Sequence, residues 1–342
     1  MGEELKFKKI LVTGACGQLG LALTNYLQRY SSKIVALDIE PVKDPWDNDG
    51  HNKDELENLQ FVLADLTREV DLVACKIDLE DVDYLVHLAS IIEDSKDIKV
   101  HAQSVIDRDI SGTVDLLKHL PALKGICFSS SYMIYGPTIY SPIDEHHPTD
   151  PINIYGVCKL AAEKFLTLYG QQKNISVTVL RYAGIYGPGT PADSTRLIPS
   201  VIRTVAQNKP PVIFGEGTEL RETVYIDDAV SAIVSAIKQA QSDVKGTFNI
   251  SSGKPYTAKE LAELVIELST EISGTGKLQP EYRVAPAKDV GGDGGGAALT
   301  GVELAITSAK DKLGYNPKIT LREGLAEHIK WYSTVQNNKK SN

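Results

Sequence analysis

The chain has 342 residues, enough for one large domain or two smaller ones, and its 42% hydrophobic and 24% charged residues are ordinary for a soluble globular protein. The formal net charge of -9 argues against a nucleic-acid or membrane-surface partner, because either would select a basic patch. The sequence has no run of 18 apolar residues and no signal peptide, so we expect a cytoplasmic protein. Four scattered cysteines without metal-ligand spacing predict buried free thiols and no bound metal.

The first half of the sequence alternates β-rich segments with helical ones. The predicted strands, in chain order, are KKILVTG, KIVALD, LQFVLAD, DYLVHLAS, KGICFSSS and ISVTVLRY. Helical segments such as LGLALTNYLQRY and SGTVDLLKHL lie between them. Because strands that alternate with helices form βαβ units, this order predicts a parallel sheet with helices on both faces.

After residue 182 the pattern loosens, since Gly and Pro interrupt GIYGPGTPADS and NKPPVIFGEGT. One further strand, GTFNIS, and one further helix, TAKELAELVIEL, are predicted before the closing helices. We therefore expect an α/β fold with two parts and a disordered tail at 336–342. The expected parts are a Rossmann-like doubly wound parallel sheet over 6–183 plus 222–252, and a smaller mixed α/β substrate domain over 184–221 plus 253–335.

The segment TGACGQLG connects the first predicted strand to the first predicted helix. Its glycines, Gly14, Gly17 and Gly20, permit a tight turn and let the backbone approach a pyrophosphate at the helix N-terminus. The alternative is merely a tight strand-to-helix turn. Asp38 ends the second predicted strand, where a carboxylate accepts hydrogen bonds from the adenosine ribose hydroxyls and repels a 2′-phosphate. The segment thus favours NAD over NADP.

The third predicted strand ends in Ala64-Asp65-Leu66. A carboxylate at this point either meets the adenine amino group or caps a helix that starts near Thr67. The sequence leaves both interpretations open for Asp65.

The segment NIYGVCK places Tyr155 four residues before Lys159, at the start of a predicted helix. Residues at this spacing are neighbours on one helix face, but the spacing is common and recurs at Tyr169 and Lys173. The first pair gains meaning only from the dinucleotide-binding pattern that precedes it.

Taken together, TGACGQLG, HLAS, SSSYMIYG, YGVCK, RYAGIYGPG and GEGTELRETVYIDDA resemble the extended short-chain dehydrogenase/reductase family, in its NAD-dependent epimerase/dehydratase branch. The resemblance covers nearly the whole chain. It implies a catalytic group of Ser131, Tyr155 and Lys159, with Ser129 and Ser130 as rivals for the serine. The residues implied to bind NAD are Gly14, Gly17, Gln18, Leu19, Gly20, Asp38, Asp65, Leu66, Leu88, Ala89, Ser90, Tyr155 and Lys159.

The implied roles agree with elementary acid–base chemistry. A free tyrosine has a pKa of about 10, and a neighbouring lysine cation together with the positive nicotinamide favours the phenolate. Tyr155 would then remove a proton from a sugar hydroxyl, Lys159 would also bind the nicotinamide ribose, and Ser131 would hydrogen-bond the substrate oxygen.

The same resemblance implies a nucleotide-sugar substrate. Arg221 matches the arginine that holds the nucleotide diphosphate, and the implied substrate-binding residues are Ser131, Tyr155, Tyr182 and Arg221. Tyr132 and Met133 stand where the family's dehydratases and decarboxylases carry acidic residues, which favours 4-epimerization through a 4-keto intermediate. Arg196 and Tyr225 are further candidates for the cleft.

Three departures from the family pattern keep other activities open. Gly184 and Asp109 stand where the family usually has asparagine, and YRVAPAKDV lacks a late arginine, for which Arg283 is a candidate substitute. The alternatives are an NAD-dependent dehydrogenase of a hydroxy substrate, an NDP-sugar dehydratase, and a non-catalytic NAD-sensing protein. The family also implies a homodimer through helices around 98–119 and 153–170.

Overall fold

The computed structural model describes residues 5, 7–30, 32–41, 58–90, 98–191, 193–240, 242, 244–284 and 301–341. The strands are β1 Lys9–Thr13, β2 Lys33–Asp38, β3 Leu59–Leu63, β4 Tyr84–His87, β5 Gly125–Ser131, β6 Ser176–Tyr182, β7 Gly184–Tyr186, β8 Val212–Phe214, β9 Leu220–Arg221, β10 Thr223–Tyr225, β11 Gly246–Ile250, β12 Tyr256–Thr257 and β13 Glu281–Arg283. The α-helices are α1 Gln18–Leu27, α2 Glu69–Ala74, α3 Lys76–Leu79, α4 Ile98–Ile106, α5 Gly112–Lys118, α6 Ile154–Lys173, α7 Leu197–Ala206, α8 Ile226–Ala240, α9 Ala258–Ser273 and α10 Leu321–Ser341.

The main sheet has seven strands in the order β11-β6-β5-β4-β1-β2-β3, and every neighbouring pair is parallel. In its centre Val12 of β1 lies between Ala36 of β2 and Val86 of β4. All seven strands coincide with the segments predicted from sequence. The structure therefore confirms the Rossmann-like doubly wound fold.

Helices cover both faces of this sheet, as buried parallel strands require. On one face α1 and α8 pack through residues such as Leu23 and Ile233, both fully buried. On the other face α5 and α6 contribute Leu116 and Leu166 to a second apolar cluster. Six of the seven strands thus contribute apolar side chains to both clusters, whereas β11 contributes Phe248 and Ile250 to the first cluster only.

The later part of the chain adds three two-stranded sheets. β7 pairs with β10 and β8 with β13, both in parallel, while β12 pairs antiparallel with β9. The helices α7, α9 and α10 contribute to the same apolar cluster as α1 and α8. The division into 6–183 plus 222–252 and 184–221 plus 253–335 stays a prediction.

The C-terminus differs from its prediction. Helix α10 extends to Ser341, so residues 336–341 are helical rather than a disordered tail, and residue 342 lies outside the described part. After Gly324 no Gly or Pro interrupts α10, so the helix can continue in solvent despite the polar composition that predicted disorder. Within the described ranges, no helix is long and apolar enough to cross a membrane.

Candidate active site

A first cavity lies at the carboxyl ends of β1 to β4, where ligands of open α/β sheets bind. It is lined by Gly14, Cys16, Gly17, Leu21, Leu37, Asp38, Ile39, Glu40, Pro41, Ala64, Asp65, Leu66, Thr67, Leu88, Ala89, Ser90 and Arg108. Eight residues of the predicted cofactor set are among them: Gly14, Gly17, Asp38, Asp65, Leu66, Leu88, Ala89 and Ser90.

The glycine turn is packed too closely for other residues. Gly14 has a φ of +67°, and a Cβ there would lie 2.8 Å from the backbone nitrogen of Ala89. A Cβ on Gly20 would collide with the carbonyl oxygen of Gly14. The turn therefore leaves its backbone exposed to a ligand at the start of α1, which fits the pyrophosphate of a dinucleotide.

The carboxylate of Asp38 is fixed by two backbone groups. Its Oδ2 accepts a hydrogen bond from the Cys16 amide at 2.8 Å, and its Oδ1 accepts one from the Glu40 amide at 3.0 Å. Each carboxylate oxygen can accept a further bond, so ribose hydroxyls could be accommodated. A second acidic residue, Glu40, lines the same cavity and adds to the repulsion of a 2′-phosphate.

The side chain of Asp65 stabilises a local turn and does not cap a helix. Its Oδ1 accepts hydrogen bonds from the amide and the hydroxyl of Thr67 at 2.9 and 2.8 Å, while α2 begins later, at Glu69. The residue still lines the first cavity. The adenine contact stays a prediction.

Five residues of the predicted cofactor set do not line this cavity: Tyr155 and Lys159, which are described below, and Gln18, Leu19 and Gly20. Gln18 turns its side chain away and donates hydrogen bonds to the carbonyl oxygens of Gly187 and Pro188, both at 3.0 Å. Leu19 packs in the apolar core, and Gly20 packs on the glycine turn. Gln18, Leu19 and Gly20 occupy the first turn of α1. Only their backbone N–H groups, which lack intrahelical partners there, remain candidates for a pyrophosphate.

Sequence reasoning missed several residues of this cavity. Arg108 reaches it from the segment between α4 and α5, and Cys16 lies between two of the glycines. Cys16 is half-buried rather than buried, unlike the other three cysteines, and burial raises the pKa of its thiol to about 11. The position of Cys16 inside the glycine turn was the available indication, whereas nothing in the sequence indicated Arg108.

The second cavity, of roughly 380 Å³, lies at the carboxyl ends of β5 and β6 and extends toward the later part of the chain. Its size falls within the range of small-ligand pockets. Ser131, Tyr155, Tyr182 and Arg221 all line it, together with Arg196. The predicted substrate residues are therefore brought together.

Two of the predicted tyrosines of this cavity have limited roles. The hydroxyl of Tyr182 donates to the Ala229 carbonyl at 3.0 Å, so only its ring faces the cavity. Tyr225 is 7% exposed, packs on Tyr186 and does not line the cavity. Tyr225 ends a buried strand, which the sequence could not distinguish from a cleft position.

The start of α6 is held against the serine strand by its sequence. Asn153 caps the helix by accepting a hydrogen bond from the Gly156 amide at 2.8 Å. A Cβ on Gly156 would lie 2.7 Å from the carbonyl oxygen of Met133. The glycine next to Tyr155 therefore allows the helix to approach the turn that follows Ser131.

The three serines have different surroundings. Ser130 is buried and donates to the carboxylate of Glu163. The Ser131 hydroxyl accepts a hydrogen bond from the Met133 amide at 3.2 Å, which uses a lone pair and leaves its proton to be donated. Ser129 lines the cavity, and its carbonyl oxygen accepts from Lys159. The geometry favours Ser131 over Ser130 as the serine that faces a ligand.

Lys159 is an almost fully buried cation, with 2% of its side chain exposed. Its Nζ donates to the Ser129 carbonyl at 3.1 Å and lies 5.7 Å from the centre of the Tyr155 ring. The Asp109 carboxylate lies 4.0 Å away. Burial lowers the pKa of Lys159, and the neighbouring carboxylates of Asp109 and Glu163 oppose that shift. The pair Tyr169 and Lys173 has no such setting, since Tyr169 packs in the second apolar cluster.

Arg221 carries a buried Nε without a hydrogen-bond partner, and within the described ranges no ion pair joins it to Glu219 or Glu222. A buried donor of this kind calls for an acceptor, and a guanidinium suits an oxyanion. Glu222, which the sequence did not single out, lines the same cavity, and burial raises the pKa of its carboxyl to about 7.

The departures from the family pattern can be placed in part. Gly184 lines the second cavity, and a Cβ there would have no contact shorter than 3.5 Å. Arg283 is exposed and pairs with Glu281 at 2.6 Å, and it is not among the lining residues. The rest of the YRVAPAKDV segment, from residue 285, lies outside the described residues.

Comparisons with known proteins agree with this geometry. A model of the NAD-dependent epimerase/dehydratase family matches residues 10–251. A putative UDP-glucose 4-epimerase of Methanocaldococcus jannaschii is 28% identical over 338 residues, which cover 97% of this chain and all of that protein. The structure of a UDP-glucose 4-epimerase with UDP-glucose from Thermotoga maritima has a TM-score of 0.76 and 26% identity, covering 96% of this chain and 99% of that one. The structure of MoeE5 in complex with UDP-glucose and NAD has a TM-score of 0.77 and 25% identity, with the same coverage.

Proposed function

The chain belongs to the NAD-dependent epimerase/dehydratase family, and from this premise we propose that it is a nucleotide-sugar 4-epimerase that works through a transient 4-keto intermediate. NAD is its cofactor, and the glycine turn and Asp38 line the cavity that fits it. The proposal rests above all on one observation: Ser131, Tyr155 and Arg221 line a single cavity.

Each residue has a distinct task in this scheme. Tyr155 takes the proton from the sugar 4-hydroxyl as general base, and Lys159 favours the phenolate by its charge. Ser131 donates its hydroxyl proton to the same sugar oxygen and stabilises it as a carbonyl forms. When bound, NAD supplies the hydride acceptor that oxidises the sugar and returns the hydride to its other face.

Arg221 recognises the diphosphate that nucleotide sugars share. Its buried Nε has no partner in the described ranges, so the diphosphate of a sugar nucleotide would satisfy a donor that is otherwise costly to bury. Arg196 lines the same cavity and adds positive charge. A substrate without a diphosphate would leave this donor unsatisfied.

The segment after Ser131 separates epimerization from dehydration. Tyr132 and Met133 line the cavity where the elimination pathway requires an acid, and neither side chain is a carboxylic acid. A second candidate is an NAD-dependent dehydrogenase of a hydroxy substrate. It is favoured by Gly184, which lines the cavity and has no side-chain amide to donate to a phosphate.

The test is proton NMR of the purified protein with a trace of NAD and a mixture of UDP-, GDP- and dTDP-sugars. We expect a new anomeric doublet without accumulation of NADH, and its loss in Tyr155→Phe. Arg221→Met should weaken the apparent affinity for the nucleotide sugar about 10- to 100-fold, in line with the loss of charged hydrogen bonds to a diphosphate. Stoichiometric NADH with a non-nucleotide alcohol would instead establish the dehydrogenase.

The proposal includes a cytoplasmic homodimer, paired through helices around 98–119 and 153–170. Light scattering of the purified protein tests the dimer. A monomeric mass at micromolar concentration would overturn that part without affecting the chemistry.

A further inference from the structure

A π-helical turn interrupts the long helix beside the active site. Five residues, Asp107–Ser111, connect α4 to α5 with this wider geometry, which is found frequently at functional sites. The turn places Asp109 in the interior, where 2% of its side chain is exposed. Its backbone carbonyl accepts a hydrogen bond from the Thr113 hydroxyl at 2.8 Å, which fixes the turn.

The carboxylate of Asp109 is only partly satisfied. Its Oδ2 accepts a hydrogen bond from the Ser90 hydroxyl at 2.9 Å and lies 4.0 Å from Nζ of Lys159. Among the residues that the structure describes, no partner forms a hydrogen bond to its buried Oδ1. Burial raises the pKa of this carboxyl, and the positive charges of Lys159 and Arg108 oppose that shift and stabilise its ionised form.

Titratable groups face Lys159 from each element around it, but most of them cannot act as its counter-charge. Glu163, on the same helix, is bound by Arg181 through two hydrogen bonds of 3.1 and 2.8 Å. Burial raises the pKa of Cys158 to about 11, so its thiol is neutral, and burial lowers the pKa of His87 on β4 to about 3.

The hydrogen bonds of His87 agree with a neutral ring. Thr113 gives its only hydroxyl proton to the Asp109 carbonyl, so its oxygen accepts from Nε2 of His87 at 2.8 Å. Nδ1 then accepts from the Thr13 hydroxyl at 2.7 Å. Since His87 carries no charge and Glu163 is already paired, Asp109 is left as the counter-charge of Lys159 within the described part of the chain.

We propose that Asp109 is a positioning residue that keeps Lys159 protonated in this dry site and, through Lys159, sets the pH at which Tyr155 ionises. The proposal rests on the proposed function only in taking Tyr155 as the base. It gives a role to a position where the family usually has an uncharged asparagine.

The sign of the effect follows from the charge of Asp109. A nearby negative charge favours the protonated form of the lysine, and the lysine cation in turn favours the phenolate of Tyr155. Removing the charge of Asp109 therefore makes Lys159 lose its proton at lower pH, and Tyr155, without the neighbouring cation, ionises at higher pH. Because the Asp109 carboxylate lies 4.0 Å from Nζ of Lys159, its removal should change the pH at which Lys159 loses its proton by about one unit or more.

The experiment is an ultraviolet titration of phenolate in the NAD-loaded protein, with Asp109→Asn compared with the unchanged chain. Subtracting the same titration of Tyr155→Phe isolates Tyr155 in each background. We expect Tyr155 to ionise at a pH about one unit higher in Asp109→Asn, and Asp109→Ala to shift in the same direction. The matched control is Asp115→Asn, which removes a carboxylate of α5 that pairs with Lys118 at the surface and should cause no shift.

Equal ionisation of Tyr155 in Asp109→Asn and the unchanged chain would overturn the proposal. Opposite shifts in the asparagine and alanine variants would also overturn it, because they would indicate a packing effect rather than a charge effect. No sugar enters this titration, so its outcome is independent of whether nucleotide sugars are turned over. If Tyr155 ionisation shifts as expected in Asp109→Asn but the protein shows no epimerase activity, the proposed function is refuted and the role of Asp109 still holds.

Discussion

Substituting Glu163 by glutamine is expected to destabilise the protein strongly while conserving the shape of the side chain. Glu163 on α6 and Arg181 on β6 form a two-bond ion pair whose side chains are 4% and 6% exposed. At 2.8 Å and an effective dielectric constant of about 20, their attraction is about 6 kcal/mol. Much of it offsets the desolvation of the two charges. Glu163→Gln leaves the guanidinium buried without its counter-charge, so the unfolding free energy should fall by about 3 to 5 kcal/mol.

Guanidinium chloride unfolding followed by circular dichroism measures this loss. The double variant Glu163→Gln with Arg181→Met should be less destabilised than the single variant, because no unpaired cation then remains. Asp115→Asn, which breaks an exposed pair with Lys118, is the control and should leave the midpoint unchanged. A loss below about 1 kcal/mol in Glu163→Gln, or a double variant that loses the sum of both singles, would refute the reasoning.

Two further predictions concern the cofactor turn and the start of α6. Asp38→Ala removes the carboxylate that repels a 2′-phosphate. The ratio of NADP to NAD dissociation constants, measured by fluorescence titration, should therefore fall at least 10-fold. An unchanged ratio would mean that Glu40 sets the preference. Gly156→Ala places a Cβ 2.7 Å from the Met133 carbonyl and should move Tyr155 relative to Ser131, lowering kcat about 10- to 100-fold with a small change in KM. A variant with normal kcat would show that the helix start can shift without consequence.

The sequence was sufficient to predict the family, the fold class, the cofactor and an enzyme of the sugar-nucleotide epimerase class, and the fold and comparisons confirm these. Buried parallel strands are continuous apolar runs, and the glycine turn has a fixed place between β1 and α1. Both features can therefore be recognised from the local amino-acid sequence. The catalytic and binding roles of individual residues stay predictions.

What the sequence did not predict depends on tertiary approach. The side chain of Gln18 donates a hydrogen bond to the carbonyl oxygen of Gly187, which lies 169 residues further along the chain. No local pattern in the sequence indicates that contact. The burial of Asp109 beside Lys159 depends on a π-helical turn, whereas a composition of Asp, Arg and Ser suggests an exposed helix face. Polar composition likewise predicted disorder at 336–342, where α10 continues to Ser341.

The most direct test of the central claim uses a nucleotide sugar deuterated at C4, incubated with the NAD-loaded protein in ordinary water. A 4-epimerase that removes and returns the same hydride should yield the C4 epimer with deuterium still at C4 and no accumulated NADH. Deuterium lost from C4, or a substrate recovered with unchanged configuration while NADH accumulates, would contradict the account.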